Sequence, residues 1–329
     1  MKPLTLEKAF NIAFFEKDSF QNFLSFKPIE QIKESVYAGR DVLEPTAKLK
    51  EYHKFINEFI FSYLNINKDV VFSYRKGSST YDSVTCHANS KIFFNTDIKN
   101  FFPSVTREFA KDILIKNINN IPILDVSDYF NVILDFIIVK DTLPIGFSTS
   151  PSFSNACLYE FDNVLQAYCK ENEFIYSRYS DDIIISSESE NGFNDVPAFV
   201  ARFLSEIGGG RFQLNSQKTK LIKKGNKIKL LGMVILPSGK ISVDINVKKR
   251  LEHLIHFFIN DKNKFIDAVT NDSKIKTEGL NNQEIQDKGV GVISGLLNHI
   301  NTIDKAYLDK LRKKYGNAII DMFFHNNAN

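Results

Sequence analysis

Residues 174–187 read Phe-Ile-Tyr-Ser-Arg-Tyr-Ser-Asp-Asp-Ile-Ile-Ile-Ser-Ser. Two short runs, Phe174–Tyr179 and Ile183–Ser187, flank a polar Ser180-Asp181-Asp182 tip. Aromatic and β-branched side chains favour strands, and Ser and Asp favour tight turns, so the stretch predicts a β-hairpin with two adjacent carboxylates at its tip. Adjacent like charges repel, and turn chemistry does not require both. A divalent cation would offset the repulsion, and Mg²⁺ is commonly held by one or two carboxylates together with substrate phosphates. Taken alone, the motif reads more readily as a solvated turn, because short motifs recur by chance.

The composition narrows the choice. A chain of 329 residues accommodates one large or two ordinary domains. Its 43% hydrophobic and 25% charged residues fit a soluble globular protein, and 30 Phe with no Trp predict a core packed with aromatic rings. The net charge of +3 is too small to imply nucleic acid, but its distribution is uneven. From Asn215 to Arg250, ten Lys and Arg stand against one acid, Asp244. Such a stripe is the footprint of a polyanion partner, or a Lys-rich solvated surface. Cys86, Cys157 and Cys169 show no CxxC spacing and predict free thiols in a reducing compartment, without a zinc site. There is no cationic-then-apolar leader and no apolar run of the ~18 residues that a membrane helix needs, so a cytoplasmic protein with no membrane partner is expected.

Along the chain, residues 5–37 look helical in two or three pieces, with Pro28 restarting the chain, followed by an irregular segment, 38–45. Tyr52, Phe55, Ile56, Phe59, Ile60 and Tyr63 mark one face of an amphipathic helix. Residues 70–74 read as a strand, and the loop Arg75-Lys76-Gly77-Ser78-Ser79 after it could contact phosphates or be an ordinary surface turn. Residues 91–96 form a second strand ending at Asp97, an acid placed for a metal or for a helix N-cap. Helices are predicted over about 106–116, 126–139, 152–170 and 195–207, the last ended by Gly208-Gly209-Gly210. Strands over 230–236 and 240–243 are joined by Pro237-Ser238-Gly239. From Asp244 onward the pattern is almost wholly helical, with 271–288 as a flexible connection. The predicted domains are therefore 1–243 and 244–329.

The ordered set of motifs matters more than any one of them. Asp97 follows a strand. A Pro144-Ile145-Gly146 loop leads through Ser150-Pro151 to a helix containing Asn155. The Tyr179-Ser180-Asp181-Asp182 hairpin comes next, then Lys218, Leu231-Gly232 and a helical tail. This order resembles the palm and thumb of a reverse transcriptase over about residues 36–325. The stretch from Tyr74-Arg75-Lys76-Gly77-Ser78 through His87 to Asp97-Ile98-Lys99-Asn100-Phe101-Phe102-Pro103-Ser104-Val105 is similar to bacterial retron and defence-associated enzymes. The resemblance implies an α+β right-hand polymerase, with fingers and palm in 1–243 and a helical thumb in 244–329.

It also implies roles. Asp97 and Asp181 would bind two Mg²⁺ ions (Mn²⁺ as an alternative), with Asp182 a weaker ligand and the Ile98 carbonyl completing one shell. Phe102 would exclude a 2′-hydroxyl; the alternative is one more core Phe. Arg40 would grip the triphosphate of a deoxynucleoside triphosphate beside Ile145 and Gly146, and Lys218 could protonate the leaving pyrophosphate. Arg75, Lys76, Tyr179, Lys220, Lys248, Lys249 and Arg250 would face nucleic acid. His87 would be either an RNA contact or a satisfied structural histidine. The implied partners are a structured noncoding RNA template, a primer or cDNA, and a second copy of the chain or a separate effector protein.

Three departures bear on the subfamily. Ile145 replaces the Gln usual in this loop, Ser83-Val84-Thr85-Cys86-His87 keeps only the His of the retron Asn-Ala-x-x-His, and Leu230-Leu231-Gly232 stands where retrons carry Val-Thr-Gly. They favour a non-retron defence-associated enzyme active against phage, with a retron enzyme making RNA-linked DNA as runner-up. A palm-like RNA-binding module without activity, and untemplated or protein-primed synthesis, are the rival readings.

Overall fold

The computed structural model describes residues 3–37, 39–223, 225 and 228–325. Lys224 and Lys227 of the basic stripe lie outside them. The chain divides into two compact units, Met1–Lys223 and Lys224–Asn329. Its strands are β1 (Ile32–Tyr37), β2 (Arg40–Pro45), β3 (Ile92–Asp97), β4 (Ile175–Tyr179), β5 (Asp182–Ser187), β6 (Lys220–Lys223), β7 (Ile228–Leu230), β8 (Met233–Ile235) and β9 (Ile241–Val243).

In the first unit the expected hairpin forms the edge of a four-stranded antiparallel sheet, ordered β4-β5-β3-β6. Central strands covered on both faces carry continuous apolar runs rather than alternation. Accordingly Ile92, Phe93 and Phe94 of β3 and Ile183, Ile184 and Ile185 of β5 are all buried. Register is fixed by Phe94 opposite Ile185, which places Asp97 opposite Asp182 at the sheet end. Helices Thr80–Thr85 and Tyr159–Glu171 pack beside β4.

The aromatic core is as composition predicted. The helix Ala47–Phe59 starts at Thr46, whose side chain accepts from the Leu49 N–H, and buries Leu49, Tyr52, His53, Phe55 and Ile56. Around Tyr52 and Phe55 gather Phe10, Phe14 and Phe23, and Phe23 stacks on Phe136 at 4.7 Å. Offset and edge-on pairs of this kind add to the stabilisation that burial provides.

Several elements differ from the sequence reading. Residues 32–37 and 40–45, expected as helix and irregular chain, pair as the antiparallel strands β1 and β2. Most of their side chains are exposed, so Lys33, Glu34 and Asp41 carry no apolar alternation to reveal them. Residues 70–74 make a single β-bridge, Val71 to Arg178, instead of a strand. The long helix predicted over 152–170 begins earlier and breaks at Leu158 into Thr149–Cys157 and Tyr159–Glu171. Strand β6 was not expected.

The second unit contains β7, β8 and β9, in that order, and helices Ile245–Asn260, Lys262–Thr270, Asn282–Ile303, Lys305–Tyr315 and Asn317–His325. The predicted strand 230–236 is two strands. Leu231 (φ 47°) and Gly232 (φ 81°) make a two-residue turn, and left-handed backbone at both positions is what such hairpin turns require. The three strands belong with the helices, because Ser242 donates to Asp304 Oδ2 at 2.7 Å. The compact division therefore falls ahead of these strands, at 223/224, where composition placed it at 243/244. The connection at 271–288 is shorter than expected: Asn281 and Glu284 form a capping box that starts the next helix at Asn282.

Candidate active site

Asp97 is the last residue of β3 and Asp182 the first of β5, so the ladder sets them directly across from one another. The two residues at the β4–β5 turn are Ser180, with φ 60°, and Asp181. The Ile98 N–H donates to the Asp181 carbonyl at 3.1 Å, which pins the chain leaving β3 to that turn. On its other side the same chain is held by a second segment: Lys99 N–H donates to the Gln213 carbonyl and Asn215 N–H to the Asp97 carbonyl, each at 2.8 Å. These bonds bring Lys218 within reach, and its Nζ lies 2.5 Å from Asp97 Oδ2. Asp97 is only 3% exposed, and its Oδ1 has no hydrogen-bond partner among the described residues. A buried polar atom left unpaired is costly and invites a partner such as a water, an ion or a substrate group.

The electrostatics follow from this crowding. Burial pushes the Asp182 carboxyl up to about 6, and the neighbouring Asp181 and Asp97 charges push the same way, against the pull of Lys218. The bond to Asp97 holds the Lys218 proton more firmly than usual.

The three segments border a cleft of about 570 Å³ whose lining includes Arg40, Asp97, Ile98, Phe102, Ile145, Asp181 and Lys218. Sequence elements more than 170 residues apart thus meet in one place, as the motif order required. Arg40 opens β2, and Phe102 sits half-buried in the single helical turn Phe101–Ser104. The loop carrying Ile145 lies against β2, where Leu43 N–H donates to the Ile145 carbonyl at 2.8 Å. Gly146 makes that approach possible. Its φ is 108°, and a Cβ there would stand 2.3 Å from the Leu43 carbonyl oxygen.

A second polar cluster supports the turn, and the sequence reading missed it. Arg178 and Asp162 are both fully buried and pair through two bonds of 2.7 Å, Nε to Oδ1 and Nη2 to Oδ2. Tyr176 also donates to Asp162 at 2.7 Å. The remaining guanidinium nitrogen, Nη1, donates to the Ser180 carbonyl at 2.8 Å and to Asn155 Oδ1 at 3.2 Å. The only signal in the sequence was an Arg inside an apolar strand, two residues before the turn.

Of the residues expected to face nucleic acid, His87 is enclosed by protein and several others are engaged by neighbouring groups. His87 is fully buried, with Nδ1 2.6 Å from Ser186 Oγ and Nε2 2.8 Å from Ser177 Oγ; burial lowers it to about 3, so it is a neutral structural histidine. Arg75 directs its guanidinium to the carbonyls of Lys68 and Val71. Lys76 is exposed, and Tyr179, the last residue of β4, is half-buried opposite Asp182. In the second unit Lys248 is bound to Asp304 at 2.8 Å and lies 4.1 Å over the Tyr307 ring. Arg250 pairs with Asp272, Lys240 with Asp304 and Lys229 with Asp244. Lys223 pairs with Glu190. The basic stripe is thus largely answered by acids remote in sequence, which leaves Lys220 and Lys249 exposed without an ion-pair partner among the described residues.

Comparison with known proteins agrees with this geometry. Residues 40–235, more than half of the chain, match the profile of the family described as Reverse transcriptase (RNA-dependent DNA polymerase). The Retron Ec83 reverse transcriptase of Escherichia coli is 24% identical, covering 96% of this chain and 95% of that protein. The Retron Ec73 reverse transcriptase of Escherichia coli is 25% identical, with 84% and 83% covered. Among solved structures, telomerase from Candida tropicalis in complex with a TWJ fragment of telomeric RNA superposes with a TM-score of 0.50 at 13% identity, covering 86% of this chain and 54% of that one. The chain spans about half the length of that telomerase, and the likeness is one of fold, the right-hand polymerase architecture.

Proposed function

This chain belongs to the reverse transcriptase (RNA-dependent DNA polymerase) family, and from that premise we propose that it extends DNA on an RNA template by two-metal nucleotidyl transfer at Asp97, Asp181 and Asp182. The observation that carries the proposal is the buried, unpartnered Asp97 Oδ1 in a cleft that Asp181 also lines, with Asp182 opposite Asp97 in the ladder. The available donors are oxygens, from these carboxylates and the Ile98 carbonyl, and such hard ligands suit Mg²⁺ or Mn²⁺. Among the described residues no three His, Cys, Asp or Glu side chains lie where they could together hold a metal ion, so substrate phosphates would have to supply the rest of the shell. When bound, the cations supply charge neutralisation for the triphosphate and acidify the primer 3′-hydroxyl.

The chain's own residues do the rest by position and charge. Asp97 and Asp181 would hold the cations, with Asp182 beside them. Arg40 binds the triphosphate across the cleft, and Phe102 bars a 2′-hydroxyl. Lys218 Nζ pairs with Asp97 at the cleft, and its ammonium is the chain's own group that could give a proton to the leaving pyrophosphate. The template is a dedicated structured noncoding RNA and the biological role is antiphage defence in the cytoplasm. No described helix is long and apolar enough to cross a membrane. Similarity to a retron enzyme along 96% of the chain favours the retron form as a second reading, in which product DNA stays covalently linked to RNA.

Protein purified with its bound nucleic acid tests this. Sequencing should return one structured RNA and its complementary DNA, and labelled deoxynucleotides should be incorporated with Mg²⁺. Asp97→Asn should reduce incorporation by about 10³-fold or more, since charge placed at the reacting centre is usually the largest catalytic factor. Undiminished synthesis by that variant would sink the proposal. Phage protection that survives in Asp97→Asn would point to an RNA-binding role, and a product that shortens on RNase treatment in denaturing gels would select the retron form.

A further inference from the structure

The segment Tyr74-Arg75-Lys76 follows the β-bridge to Arg178, and the two larger side chains at its start point to different tasks. Arg75 folds back onto the carbonyls of its own loop. The Tyr74 hydroxyl instead lies 2.9 Å from Ser180 Oγ, and Tyr74 borders the cleft together with Asp97 and Asp181. Tyr74 has φ 55°, left-handed backbone that a bulky side chain rarely adopts. The chain before it explains how that conformation persists. Phe72 N–H donates to the Arg178 carbonyl at 2.9 Å, Arg178 N–H donates to the Val70 carbonyl at 2.8 Å, and the Ser73 carbonyl accepts from Asn155 Nδ2 at 2.9 Å. With Ser73 fixed, the left-handed step presents the Tyr74 phenol to the turn while 47% of the residue remains exposed.

Ser180 is therefore gripped twice. Its carbonyl is taken by buried Arg178, and its hydroxyl by Tyr74 from the cleft. We propose that Tyr74 is a positioning residue: through the Ser180 hydroxyl it fixes the turn that carries Asp181, and so fixes where that carboxylate stands when a divalent cation and a nucleoside triphosphate arrive. This rests on the reading of Asp181 as a metal ligand. The arrangement differs from a purely structural link, because the bond joins an exposed cleft residue to the one turn whose displacement would move a reacting group, and the sheet itself does not depend on it.

Tyr74→Phe, Ser180→Ala and the double variant test the proposal in the full chain. Three measurements are compared: Mn²⁺ binding to the free protein by electron paramagnetic resonance, kcat and KM for single-deoxynucleotide incorporation, and thermal unfolding. Each single variant should weaken Mn²⁺ binding and lower kcat about three- to tenfold, the range that one hydrogen bond between neutral groups supports. The KM for the nucleotide and the melting temperature should stay unchanged. The double variant should be no worse than the more affected single one, because both substitutions remove the same link. Normal Mn²⁺ binding and kcat in Tyr74→Phe, or additive losses in the double variant, would overturn the proposal. So would a raised KM with normal Mn²⁺ binding, which would make the phenol a direct nucleotide contact. Asp181→Asn run alongside separates the two levels: if it is inactive while Tyr74→Phe is normal, only the positioning role fails, and if it binds Mn²⁺ and polymerises normally, both readings fail.

Discussion

The β4–β5 turn separates two polar clusters of opposite character. One contains Arg178, Asp162, Tyr176 and Asn155, is fully or almost fully buried, and pairs its charges with short, well-directed bonds. The other contains Asp97, Asp181 and Asp182 with Lys218 as its cation, and it leaves a buried oxygen unpartnered. Burial alone does not separate them, because Asp97 is almost as deeply buried as Asp162. Compensation does. A buried carboxylate with both oxygens answered within the protein fixes backbone geometry, whereas one with an oxygen left unpartnered keeps a place for a ligand.

Substitutions on either side should make the contrast sharper or remove it. The largest effect is expected on activity. Asp181→Asn should lower nucleotide incorporation by about 10³-fold or more while urea unfolding shows no loss of stability, since it removes repulsion rather than a compensated charge. Equal loss of stability and activity would erase the distinction. Next comes Arg178→Met, which strands Asp162 in the core. Breaking a buried pair from one side typically costs about 3–5 kcal/mol, and adding Asp162→Leu should recover most of it. Urea denaturation of the three proteins measures this, and a double variant as unstable as Arg178→Met would contradict the compensation argument.

The smallest effect is the dependence of stability on pH. Asp182 has its carboxyl raised from 3.8 to about 6 in the folded protein. Ionising it therefore opposes folding: the penalty is absent below about pH 4, grows as pH rises through 6 and is full at about pH 8. Asp182→Asn should accordingly be more stable than the parent by about 1–2 kcal/mol at pH 8, discounted for partial exposure, with the gain vanishing near pH 4. Unfolding curves for the two proteins at both pH values check the sign. A gain at pH 4 that disappears at pH 8 would show that Asp182 is stabilised as the carboxylate.

The two clusters also differed in how far the sequence revealed them. Asp97, Asp181 and Asp182 were readable because apolar strands lead directly into acids, and the register that pairs Phe94 with Ile185 leaves no other place for them. Arg178 was hidden because a charged residue inside a strand reads as a solvent-facing position, and its partner Asp162 lies on a helix whose pattern looks ordinary. Strands β1, β2 and β6 were missed for a related reason. Their side chains are mostly polar and exposed, and their pairing is held by backbone bonds that carry no compositional signature. The stripe from Asn215 to Arg250 shows what a count along the chain leaves out. Counting within a window cannot see that Asp304, Asp272 and Glu190 fold back to neutralise Lys248, Arg250 and Lys223.

The sheet β7-β8-β9 bears on how the molecule should be dissected for biochemistry. Met233, Ile235, Ile241 and Val243 are all buried. A helical fragment begun at residue 244 would lose the strands that accompany it and leave Asp304 without its Ser242 and Lys240 partners. A fragment that begins with the second compact unit, at residue 224, keeps those strands with their helices.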